Sequence, residues 1–146
     1  MQTVEIYIDT SIKGPRRRDG KCWYIIAYKA ANGETADTGN KIHARDTTEN
    51  QLTLIGLETA LKRLKAPCQL ILHLECNYVA AVLNNGWLEE WRYHGWMTKR
   101  GVPVADVEKW QSIQYLLNAH RFQVVLQGEH SYRDWMRREL AKTEDT

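Results

Sequence analysis

Asp9 and Glu75 each close a β-rich run, residues 4–9 (VEIYID) and residues 70–75 (LILHLE). If the two runs are parallel neighbours in one sheet, both carboxylates stand at strand carboxyl ends. Open α/β sheets place their ligands there. Two adjacent acids repel each other unless a cation lies between them. Hard oxygen donors suit Mg²⁺ (or Mn²⁺), which takes one or two carboxylates together with phosphate oxygens and water. Two such ions about 3.5–4 Å apart activate a water and stabilise the leaving oxygen of a phosphodiester. The plainer reading is structural: a strand-ending Asp forms turns, and Glu75 opens the next helix.

Two further groups of side chains suit nucleic acid. Lys13, Arg16, Arg17, Arg18 and Lys21 place five positive charges in nine residues, against Asp19 alone. Arginine-rich turns bind phosphates through paired N–H donors. Trp87, Trp91, Tyr93 and Trp96 offer stacking faces beside Lys99 and Arg100, although Glu89 and Glu90 dilute the charge. A solvated loop explains the first group equally, and core packing accounts for some of the aromatics. His43 and His73 are expected to be structural. His73 shares a strand face with Glu75 and has at most a supporting role there.

The elements that position these residues follow from periodicity. Strands are expected over residues 4–9, over 23–29 and within 35–44, with Asn32-Gly33 as the turn between the second and third. Thr48 and Gln51 match a capping box, and Leu54, Leu57, Leu61 and Leu64 form a helical stripe, so residues 48–65 read as a helix. A strand over 70–75 and a helix over 77–83 follow. Residues 87–101 show no clear regularity. Pro103 is expected to open a helix carrying Val107, Trp110, Ile113 and Leu117. A strand over 122–126 and a helix marked by Tyr132, Trp135, Met136 and Leu140 complete the order β β β α β α α β α. The crossover through the first helix makes the first and fourth strands parallel. The expectation is α/β: a five-stranded mixed sheet flanked by helices, in one domain over residues 1–146.

Composition sets the outer bounds. The 146 residues carry Lys plus Arg 20 against Asp plus Glu 18, a net charge of +2, so any nucleic-acid grip must be local. Apolar residues at 43% and charged residues at 26% are ordinary for a globular domain. No apolar run approaches a membrane span. The N-terminus lacks a basic start and apolar stretch. The three cysteines show no CxxC pairing, which disfavours zinc or a disulfide framework. A cytoplasmic, monomeric protein is expected, without membrane partners.

The chain resembles ribonuclease H type 1. The element order matches, as do the local stretches VEIYIDTS, TENQLTLIGLETAL, LILHLECNYV and GWLEEWRYHGWMTKRGVPVADVEKWQ. The last follows that family's Trp-rich substrate-binding protrusion. The resemblance implies a ribonuclease H-like fold and a divalent-metal endonuclease that hydrolyses the RNA strand of RNA/DNA hybrids. Of the family's four catalytic acids it places the first on Asp9 and the strand acid on Glu75. The helix Glu falls on Thr53, and the last Asp falls on Arg138. Glu49 and Asp134 lie one helical turn before Thr53 and Arg138, so Asp9, Glu49, Glu75 and Asp134 form a candidate relocated metal set. Capping and the helix dipole explain Glu49 and Asp134 equally. His130 is the rough counterpart of a mobile His that assists product release. Asn50 and Gln51 resemble polar residues that read RNA, Asn77 assists, and Trp87, Trp91, Trp96, Lys99 and Arg100 fall in the region that grips the DNA strand. The alternatives are an inactive module that binds hybrid or other duplex, and a protein-interaction domain.

Overall fold

The computed structural model describes residues 1–142. Ten elements follow in order: β1 (Gln2–Thr10), β2 (Arg18–Lys29), β3 (Thr35–Thr47), α1 (Glu49–Lys62), β4 (Cys68–Leu74), α2 (Asn77–Asn84), α3 (Trp87–Tyr93), α4 (Val107–Leu117), β5 (Arg121–Leu126) and α5 (Arg133–Ala141). The sheet order is β3-β2-β1-β4-β5. β1, β2 and β3 form an antiparallel meander, while β4 is parallel to both β1 and β5. The expected fold is present, with one helix more than expected, in 87–93.

Alternation on β1 and β4 assigns two faces. Val4, Ile6 and Ile8, with Leu70, Leu72 and Leu74, bury themselves against α1, α2 and α4 in the main core. That core includes Trp110, which is fully buried. The opposite face carries Tyr7 with Trp23, Ile25 and Ala27, covered by Met136 and Leu140 of α5. Asp9 shares this second face with Tyr7, because strand side chains repeat every two residues.

Local signals fix the element ends. Thr48 caps α1, its hydroxyl accepting the Gln51 N–H at 3.2 Å, as the capping pattern predicts. The Asn32-Gly33 turn closes through Gly33 N donating to Ala30 O at 2.9 Å, with Gly33 at φ +84°. Pro103 does not open α4. It pairs with Met97 in an isolated bridge, and the helix begins only after Asp106, which sits at φ +58°.

Candidate active cleft

The β1–β4 ladder ends at Ile8 opposite Leu74. Asp9 and Glu75 are therefore the next residues at the carboxyl ends of two adjacent parallel strands, both on the α5 face. They line a cleft of about 820 Å³ whose walls include Lys13, Gly14, Pro15, Glu49, Asn50, Asn77, Gln127, Arg133 and Arg137. The sheet supplies the floor, the turn after β1 one wall, and α5 another.

Each acid in the cleft has a local partner. Asp9 is buried; its Oδ1 accepts the Thr10 N–H at 2.8 Å and meets Lys13 Nζ at 2.5 Å. Glu75 Oε1 takes Arg133 Nη2 at 3.4 Å and Arg137 Nη2 at 3.3 Å. Glu49 Oε1 accepts the Gly14 N–H at 2.9 Å, tying the turn after β1 to the start of α1. Gln127 Nε2 bridges Glu75 O and Asn77 Oδ1.

Thr53 is buried, and its hydroxyl donates to Glu49 O at 2.8 Å, so this position supplies no anionic ligand. Asp134 is exposed and does not line the cleft. Arg138, expected at the last acid's place, is also exposed and outside the lining; Arg133 and Arg137 face Glu75 instead. Among the described residues, no three His, Cys, Asp or Glu side chains are grouped so as to hold a metal ion. The chemistry of the donor set agrees. Three acids remain, and the two that end the strands are bound to side-chain cations. These residues do not fit a two-ion centre of the kind the Mg²⁺ or Mn²⁺ expectation requires.

His130 lies outside the cleft lining. Its ring sits 4.5 Å from Tyr7 and 5.4 Å from His73, between ring centroids, and its Nδ1 is buried without a partner. Burial, reinforced by His73 and Arg133, lowers its pKa. The ring packs against Tyr7 and His73 in the segment between β5 and α5. His73 is structural as expected, with Nε2 at 2.9 Å from Glu5 Oε1 and its ring stacked on Tyr7 at 4.2 Å.

The nucleic-acid residues divide. Asn50 and Asn77 line the cleft, but Gln51 is directed elsewhere and donates to Asp106 Oδ1 at 3.0 Å. Arg16 is exposed beside Pro15 at the cleft wall. Arg17 is committed to Asp46, at 3.1 Å from Nε to Oδ1, and Arg18 Nη2 reaches Lys13 O at 3.5 Å. Trp87, Trp91 and Trp96 are half-buried and pack against the main core. They form an aromatic chain, with centroids 6.3 Å apart for Trp87 and Trp91 and 6.5 Å for Trp91 and Trp96, and Trp91 meets the buried Trp110 at 5.8 Å. Lys99 and Arg100 are exposed on the loop beyond it.

Sequence reasoning missed Arg133, Arg137 and Gln127 as cleft residues, and named Lys13 only as one cation among five. A signal for the arginines exists. Met136 and Leu140 mark the inward stripe of α5, and Arg133 and Arg137 precede them by three residues each, on its flank.

This sheet order, with acids at the ends of the central parallel pair, defines an α/β domain of the ribonuclease H-like type. A family model described as RNase H matches residues 1–131. The chain is 31% identical over 138 residues to a ribonuclease H of Acetivibrio thermocellus, covering 94% of this chain and 90% of that protein. It is 34% identical over 121 residues to a ribonuclease H of Bradyrhizobium diazoefficiens, covering 83% and 74%. The chain belongs to the RNase H family. Among solved structures, the fold is shared with LC9-RNase H1, a type 1 RNase H with the type 2 active-site motif. The TM-score is 0.78 at 17% identity, over 95% of this chain and 70% of that one. The PFV RNase H domain gives a TM-score of 0.61 at 19% identity, over 95% and 88%. No helix among the described residues is long and apolar enough to cross a membrane.

Proposed function

We propose that this protein is a ribonuclease H-type nuclease that acts on the RNA strand of RNA/DNA hybrids, with the reacting phosphodiester seated over Asp9 and Glu75. The observation that carries this reading is the placement of those two acids at the carboxyl ends of β1 and β4, inside a cleft belonging to a chain of the RNase H family. Hydrolysis there forms a bond from a water oxygen to phosphorus. It breaks one phosphorus–oxygen ester bond, and a proton passes to the leaving alkoxide. Asp9 orients the attacking water, and Arg137, half exposed beside Glu75, faces the charge on the phosphoryl oxygens. Asn50 and Asn77 line the same cleft and offer neutral hydrogen bonds to a 2′-hydroxyl.

A second reading, binding of hybrid without cutting, is favoured by one observation. Thr53 and Arg138 stand where the resemblance calls for two of the acids, and Arg133 and Arg137 engage Glu75, so hydrolysis is expected to be slow. Cleavage of an end-labelled RNA/DNA hybrid separates the two. The nuclease reading expects cutting by the wild type, reduced by Asp9→Asn by about a hundredfold or more, the size of a lost group that works directly on the reacting atoms. Hybrid binding with no cutting by the wild type would install the second reading.

A further inference from the structure

The formal charges in the cleft balance within the chain itself. Asp9, Glu49 and Glu75 face Lys13, Arg133 and Arg137. An all-acid cleft repels phosphate until metal ions neutralise it. Here side-chain cations already stand against the acids. The family match stops at residue 131, just before α5, which delivers both arginines.

The cations differ in depth. Arg133 is the inner one, with its side chain 16% exposed, shared between Glu75 at 3.4 Å and Glu129 at 2.6 Å. Its Nε is buried without a partner. Arg137 and Lys13 are the outer pair, with side chains 51% and 55% exposed. Arg137 gives one Nη to Glu75. A guanidinium has five N–H donors, so most of its fork remains available. Lys13 Nζ reaches Asp9 Oδ1 at 2.5 Å and Thr10 Oγ1 at 3.5 Å, leaving one of its three donors.

We propose that Lys13 and Arg137 form a backbone-phosphate site in this cleft, with Arg133 locked behind them, and that the site holds the hybrid without a divalent cation. The acids become counter-ions that fix the two outer cations in position. Thr53, buried one helical turn after Glu49 and outside the cleft lining, brings no charge of its own. This inference rests on the hybrid as substrate but not on whether the hybrid is cut.

The test is binding of a fluorescently labelled RNA/DNA hybrid, read by anisotropy across a salt series, in EDTA and in Mg²⁺ at matched ionic strength. The wild type should bind equally in both. Lys13→Gln and Arg137→Gln should each weaken binding about tenfold, the size of one charge-assisted hydrogen bond. Each should also lower the slope of log affinity against log salt by about one. Lys62→Gln, at the far end of α1, should change neither. Circular dichroism on the same samples checks the fold. Equal binding by Arg137→Gln and wild type in EDTA overturns the phosphate site and leaves the substrate reading standing. So does tightening of the wild type by Mg²⁺ by tenfold or more. Failure of the wild type to bind hybrid at all overturns the substrate reading itself, and the site with it.

Discussion

At the scale of single residues, two histidines make stability depend on pH. His120 Nδ1 accepts the Cys68 N–H at 2.9 Å, which a ring protonated at that nitrogen cannot do. Burial lowers the pKa of His120, and burial with His73 and Arg133 lowers that of His130. Both folded values therefore lie below the ordinary 6.5. Below that pH the unfolded chain takes up protons before the folded one does, so the slope of stability against pH is positive there. Their contribution is complete above about pH 6.5 and is lost as pH falls through the lowered values. Thermal melts from about pH 7.5 down to pH 5.5 should show a falling midpoint, and His120→Asn should flatten part of the fall, because an amide oxygen accepts the same bond without titrating. A midpoint of the wild type that is level across this range would contradict the argument.

Elements carry a prediction at the cap of α1. Glu49 and Asn50 in its first turn line the cleft, and Thr48 satisfies the Gln51 N–H. Thr48→Ala should cost about 1 kcal/mol of stability, measured by urea unfolding. It should also loosen the Glu49 contact to Gly14, and so the turn that carries Lys13. The cap was legible from Thr48 and Gln51 because capping is local chemistry. The five strands, α1 and the parallel placement of β1 and β4 were legible for the same kind of reason: alternation, stripe and crossover rules act along the chain. What stayed hidden depends on contacts far apart in sequence. α3 is seven residues long between Gly86 and Gly95, and its Trp91 finds its partner in Trp110 of α4. Asp9 and Glu75 were legible as strand-ending acids. The arginines opposite Glu75 were not, because a matched order of residues cannot tell which flank of α5 faces the sheet. One position along a helix turns a side chain by about 100°, enough to exchange Arg138 for Arg137.

The molecule as a whole buries the two faces of one sheet unequally. The α1 face is filled by Leu, Ile and Val side chains with Trp110 at the centre, whereas α5 holds its face with Met136 and Leu140 over Tyr7, Trp23, Ile25 and Ala27. Less apolar area under a nine-residue helix means a smaller free energy to lift it. Its other ties are the Trp135 ring set edge-on to Trp23, 4.5 Å between centroids, and polar contacts: Lys41 Nζ to Glu139 Oε2 at 3.0 Å, and the arginines to Glu75. Hydrogen exchange should therefore show α5 amides opening well before those of β1 and β4, which exchange only with global unfolding. Leu140→Ala removes a buried side chain from this smaller core and should cost about 2–5 kcal/mol of helix docking. Because Arg133 and Arg137 ride on α5, a lifted helix takes two of the three cleft cations with it. Leu140→Ala should then weaken hybrid binding in parallel with the loss of α5 protection, although Leu140 carries no charge. If α5 amides exchange as slowly as those of β4, or if Leu140→Ala speeds their exchange while leaving hybrid affinity intact, the cleft does not depend on this docking and the link between the smaller core and the phosphate grip fails.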